Sequence, residues 1–160
     1  MPESLDPAWL ATAVEVVVHA GDVQMAQASA GLHVEKKGII DLVTDTDREI
    51  ERDFRTLIAH RFPGHDVLGE EFSSPDDHIR IPDYCWIFDP IDGTTNFAHG
   101  LPIFCSSLAL EVRGELVAAA VYDPNRRELF TAERGRGAWL NGAPMRVSHA
   151  ETLIDSLLCT

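Results

Sequence analysis

Cysteine is scarce in this chain, three residues in 160. Cys85, Cys105 and Cys159 lie far apart with no C-x-x-C pair among them, which indicates neither a zinc site nor a disulfide framework and fits a reducing cytoplasm. Basic charge is scarce too, since 13 Lys and Arg against 26 Asp and Glu leave a formal charge of -13. Without a basic stripe to displace counterions from phosphates, nucleic acid is not an expected partner. No apolar run approaches the roughly 20 residues of a membrane span. The N-terminus also lacks a basic segment leading into an apolar one, so the chain reads as soluble, with no membrane partner. Gly135-Arg136-Gly137 is followed by Leu140 where the third glycine of a dinucleotide fingerprint belongs, and it sits in a hairpin rather than before a helix.

What is present first is enough apolar material, 45% of the residues, to fill one core. Leu10, Val14, Val17, Val18, Gly21, Met25 and Ala28 recur at three- and four-residue steps and predict a helix over 7–30, stopped by Gly31. A second helix is expected from Asp47 to Phe62, with Ile50, Phe54, Leu57, Ile58 and Phe62 on its buried face and Pro63-Gly64 behind it. Thr46 and Glu49 have the spacing of a capping box at its start. Strands follow at Val67-Leu68, Tyr84 to Phe88, Phe104 to Val112, Leu116 to Tyr122, Glu128 to Ala132 and Gly137 to Leu140. A polar loop over 73–82 precedes the second of these, and tight turn signals separate the later ones. The fold class is therefore α+β, two N-terminal helices packed on a largely antiparallel sheet. Residues 1–150 read as one layer, and the segment from Glu151 to Thr160 as an apolar strand that begins a further domain.

Chemistry is concentrated in Asp89-Pro90-Ile91-Asp92-Gly93-Thr94-Thr95, with Glu70-Glu71 upstream. Two aspartates around a proline-stiffened turn at the end of an apolar run should aim into one pocket. Carboxylates crowded together, with Glu70 and Asp47 joining them, need protons or a metal to neutralise them. Oxygen-only ligands suit Mg2+, Ca2+ or Mn2+. The plainer alternatives are that Asp89 and Asp92-Gly93 merely build a turn, and that Asp47 is a first-turn acid complementing a helix dipole. A calcium loop counted from Asp45 fails, because Ile50 stands where its glycine must be. A phosphoaspartyl enzyme needs its two aspartates one residue apart on an extended strand. Here Pro90-Ile91 separate them by two, which favours water as the nucleophile. His99 reads as a structural hydrogen-bonder.

Glu70-Glu71, Asp89 through Phe97, His99, Pro102 and Gly137-Ala138-Trp139-Leu140-Asn141-Gly142 together resemble the inositol monophosphatase family, over a stretch from about Lys36 to Ser148. The resemblance implies the first half of a layered αβαβα sugar phosphatase fold, a homodimeric assembly and a Mg2+-dependent phosphomonoesterase acting on inositol 1-phosphate or another small phosphorylated polyol. It implies Glu70, Asp89 and the main-chain carbonyl of Ile91 for one metal, and Asp89 with Asp92 for a second. Asp47, Glu70 and Thr94 would serve catalysis through a metal-activated water. Asp92 and the backbone around Gly93, Thr94 and Thr95 would receive the substrate. The family's Trp-Asp segment, which completes the second metal site, has no counterpart: Trp9, Trp86 and Trp139 are followed by Leu10, Ile87 and Leu140. The chain thus reads as the N-terminal portion of a phosphatase.

Overall fold

The computed structural model describes residues 5–30, 34–36, 42–72 and 82–157. Gly31, nearly all of the expected 73–82 loop and the apolar end Leu158-Cys159-Thr160 lie outside them.

Helix α1 (Pro7–Ala30) starts where the chemistry of its ends predicts. Asp6 Oδ1 accepts the Ala8 amide at 2.9 Å, and Pro7 occupies the first helical position, where a missing N–H costs nothing. Its buried stripe is rotated from the expected one. Thr12, Ala13, Val16, Val17, Ala20, Gly21 and Gln24 face the core, whereas Met25 is exposed. Small residues decide this, because they let the helix lie closest to the sheet. A Cβ on Gly21 would sit 2.6 Å from the Tyr122 ring.

After the short hairpin of β1 (Val34–Lys36) and β2 (Leu42–Thr44), helix α2 spans Asp45–Arg61. It begins earlier than expected, so Thr46 lies buried within the first turn and the Thr46–Glu49 capping box is not formed. Asp45 and Asp47 are both first-turn acids, placed where the helix dipole favours negative charge. Ile50, Phe54 and Ile58 are buried and Leu57 and Phe62 pack beside them. Arg61 clamps Glu15 of α1 through contacts of 2.7 and 3.0 Å. Being exposed, this pair stabilises the fold by no more than about 1 kcal/mol.

Seven further strands form one sheet in sequence order: β3 (Asp66–Gly69), β4 (Tyr84–Asp92), β5 (Cys105–Val112), β6 (Glu115–Asp123), β7 (Glu128–Glu133), β8 (Gly137–Leu140) and β9 (Ala143–Pro144). From β4 onward they make the expected antiparallel meander. β3 instead pairs parallel to β4, as the long link after Gly69 permits and a hairpin would not. Helix α3 (Thr94–Ala98) leaves the end of β4.

One sheet face carries the helices. Ser106, Leu108 and Leu110 of β5 and Trp86 and Phe88 of β4 point into that layer. There the Phe54 ring meets Phe88 at 4.5 Å and Trp86 at 6.4 Å between centroids. Each such side chain, fully buried, stabilises by roughly 1.5–3 kcal/mol. The alternate residues, including Ile87, Ser107 and Ala109, face the other way.

The strand expected from Glu151 is not formed over 151–157; Leu153–Asp155 is a single 3-10 turn. Thr152 Oγ1 donates to Asp155 Oδ2 at 2.6 Å and Ser156 Oγ to the Thr152 carbonyl at 2.9 Å. Local bonds of this kind compete with a strand ladder.

Candidate active site

Asp89 and Asp92 are three apart, and in an unbroken strand that spacing would send them to opposite faces. The pairing of β4 with β5 slips between them: Asp89 stands opposite Ser107 and Asp92 opposite Cys105. Ser107 and Cys105 are two apart and share a face, and antiparallel partners share one as well. The bulge made by Pro90 and Ile91 therefore returns both aspartates to the same side. It is the face away from the helices, since Ser106 between those partners is buried and donates to the Val17 carbonyl at 2.9 Å. The bulge is held from within and from below. Asp89 Oδ1 accepts the Ile91 amide at 3.0 Å, and Gln24 Nε2 of α1 donates to the Pro90 carbonyl at 2.7 Å.

The parallel pairing of β3 with β4 delivers the third acid. Gly69 is aligned with Phe88, so Glu70 leaves the strand end beside Asp89. Burial, the Glu70 charge, a hydrogen bond with the Glu70 carboxyl and the Asp92 charge together push Asp89 up to about 7. Two carboxyls can bond each other only by sharing a proton. Among the described residues no three His, Cys, Asp or Glu side chains close into one metal cage. The arrangement is two acidic pairs with Asp89 in common. Burial and the Asp92 charge raise the adjacent Cys105 thiol to about 12, so it stays protonated and offers no soft thiolate ligand.

Gly93 turns the chain from β4 into α3 at φ 94°, which favours glycine. A Cβ there would lie 2.9 Å from the Ile103 carbonyl. The first helical bond runs from the Phe97 amide to the Gly93 carbonyl at 3.0 Å, so the amides of Thr94 and Thr95 precede the ladder. Thr94 Oγ1 donates to the Ile91 carbonyl at 2.9 Å and lies 3.4 Å from Asp47 Oδ1. Asp47 is fully buried. His99 Nδ1 sits 2.8 Å from the Thr95 carbonyl, the structural contact expected of it.

The structure thus gathers Asp47, Glu70, Asp89, Ile91, Asp92, Gly93 and Thr94 around the end of β4. Two contributors were not anticipated from the sequence. Gln24 belongs to no motif or spacing that sets it apart from the other residues of α1. Glu51 lies on the same helix face as Phe54 and Ile58 and is fully buried; a charge on an apolar stripe was the signal that could have found it.

Residues 7–160 match the model of the inositol monophosphatase family. Inositol monophosphatase 3 of Solanum lycopersicum is 40% identical over 153 residues, covering 95% of this chain and 57% of that protein. The crystal structure of the extragenic suppressor protein suhB from Bartonella henselae superposes with a TM-score of 0.81 at 36% identity, over 89% of this chain and 55% of that one. An IMPase/NADP phosphatase solved with Mg2+ and phosphate gives 0.72 at 32%, over 82% and 49%. The chain spans a little more than half the length of the curated relatives it matches.

Proposed function

The chain belongs to the inositol monophosphatase family, and on that premise we propose that it carries the metal-binding, water-activating half of a Mg2+-dependent phosphomonoesterase whose first substrate is inositol 1-phosphate. The observation that carries this reading is the bulge that puts Asp89 and Asp92 on one sheet face, with Glu70 bonded to Asp89. The donor set fits a hard cation: carboxylates, a main-chain carbonyl with a second lone pair beyond its Thr94 bond, and burial together with crowded negative charge that holds Asp89 up to about 7. Glu70, Asp89, the Ile91 carbonyl and Asp92 would hold Mg2+. Bound there, the ion supplies positive charge that acidifies water and offsets the charge developing on the phosphoryl and leaving oxygens. The neighbour solved with Mg2+ and phosphate supports that choice of cofactor.

The chain's own groups do the rest. Thr94 Oγ accepts a proton from the attacking water as its own moves towards Asp47, whose burial holds that carboxylate in place. Amides of Thr94 and Thr95, bared at the start of α3, hydrogen-bond the phosphate, and Gly93 lets the ester approach the backbone. Asp92, at the open end of the pair, contacts the alcohol side of the substrate. A small phosphorylated polyol is the substrate class, and fructose bisphosphate, adenosine bisphosphate and histidinol phosphate are the competing esters. Free Cys85 and Cys105 support a cytoplasmic setting. A homodimer is part of this reading.

Phosphate release from those four esters in Mg2+, with EDTA controls, tests the reading in a protein of full family length. Inositol 1-phosphate should give the highest kcat/KM. A chain that binds no divalent metal and releases no phosphate from any of them would refute it.

A further inference from the structure

Glu51 is a carboxylate taken wholly out of water on α2, and its bonds do not go where a helix needs them. Oε2 accepts the Glu71 amide at 2.7 Å, and Oε1 accepts the Phe72 amide at 3.3 Å and Arg55 Nε at 2.8 Å. Arg55 in turn donates to the Val67 carbonyl of β3 at 3.2 Å. The Arg52 guanidinium lies 5.8 Å over the Phe72 ring. Three residues of α2 thus grip the strand that precedes Glu70 and the backbone that follows it, while Glu70 itself reaches outward to Asp89. Gly69 completes the fit, because a Cβ there would coincide with the Glu51 carboxylate.

We propose that Glu51 is a positioning residue for the phosphatase site: by holding the Glu71 and Phe72 amides, with Gly69 leaving room beneath the loop, it fixes the Glu70 carboxylate against Asp89. This rests on the phosphatase reading above, in which Glu70 is a metal ligand. A buried charge costs several kcal/mol to desolvate, and amides from the loop next to Glu70 are what compensate it. Groups that orient a ligand from behind typically change metal affinity 10–100-fold when removed.

Glutamine is the diagnostic substitution. It keeps the shape, but its NH2 must face either the Glu71 amide or the Phe72–Arg55 donors, so at least one donor is always left opposed. Mn2+ binding to the purified protein, read from the free-ion EPR signal, tests the proposal without requiring turnover. Glu51→Gln should weaken Mn2+ affinity 10–100-fold with far-UV circular dichroism unchanged. Gly69→Ala, which keeps the carboxylate but displaces it, should do the same. In a Glu70→Gln background, Glu51→Gln should add no further loss, because its effect passes through Glu70. Wild-type affinity in the folded Glu51→Gln variant, or a loss that adds in full to that of Glu70→Gln, overturns the inference and leaves the phosphatase reading standing. Unfolding of both single variants also overturns it, making Glu51 a fold carboxylate only. Absence of Mn2+ binding by the unaltered protein refutes the phosphatase reading, and this inference with it.

Discussion

Gln24 Nε2 donates to the carbonyl of Pro90 across 66 positions of sequence at 2.7 Å, and this one bond ties the first helix to the bulge that orients both aspartates. Gln24 is fully buried, and its Oε1 has no hydrogen-bond partner among the described residues. Gln24→Met keeps the volume and orphans the Pro90 carbonyl. Stability should fall by about 1–3 kcal/mol, read as a lower urea midpoint. A midpoint equal to that of the unaltered chain would show that the bond carries nothing.

Thr94 offers a cleaner probe of chemistry. Its hydroxyl touches the Ile91 carbonyl and the buried Asp47 carboxylate, so Thr94→Val removes the proton relay and retains the shape. In a full-length enzyme, kcat should drop by roughly 10²–10⁴, with Thr94→Ser recovering most of it. Equal rates for the valine and serine forms would remove Thr94 from the mechanism.

Divalent metal should stabilise the fold through the acidic pairs. At about 100 times its dissociation constant, Mg2+ should add about 2.7 kcal/mol, seen as a rise in Tm. Asp89 is shared by both pairs, so Asp89→Asn should abolish that rise while leaving the metal-free protein folded. A full Mg2+ response in that variant would contradict the site.

His65 predicts the response to acid. Its ring stacks on Tyr84 at 4.4 Å and Phe62 at 5.0 Å, and its Nδ1 accepts the Trp86 indole N–H at 3.0 Å. Indole is only a donor, so Nδ1 must keep its lone pair. Burial holds the imidazole below its ordinary range, with the Asp66 charge opposing. The unfolded chain, with a His pKa of about 6.5, therefore binds more protons in the window below that value. His65's contribution to stability is complete above about pH 6.5 and is lost as pH falls through that value towards the folded pKa. The urea midpoint of the unaltered chain, taken relative to that of His65→Asn, whose Oδ1 can replace Nδ1, should fall on acidification through that range; the difference isolates His65 from Asp89, whose raised pKa slopes stability the other way.

Much of this site was legible because it is written in consecutive residues. The apolar run before Asp89, the spacing of Asp89 and Asp92 and the turn at Gly93 announced a strand end rich in acid. What the residues did not announce was the device that makes the spacing work. Strand periodicity alone sends Asp89 and Asp92 apart, and the correction comes from a register slip against β5 that depends on Ser107 and Cys105. The parallel setting of β3 was hidden for a similar reason, since pairing direction is decided by a connection and not by the four residues of the strand. In α1 the apolar period pointed to Met25, yet the core selected Ala13, Ala20 and Gly21 because closeness to the sheet outweighs side-chain size. Glu51 did not stand out, because a carboxylate is almost never fully buried unless paired and its partners lie in a distant loop.

The bare backbone at Gly21, pressed against the Tyr122 ring, sets how deeply α1 settles, and Gln24 rides on the same helix less than one turn further on. Any side chain at position 21 acts as a wedge whose displacement is relayed to Pro90 and the acids beyond it. Genetic variation at a place no reactant ever visits would then be felt as altered turnover.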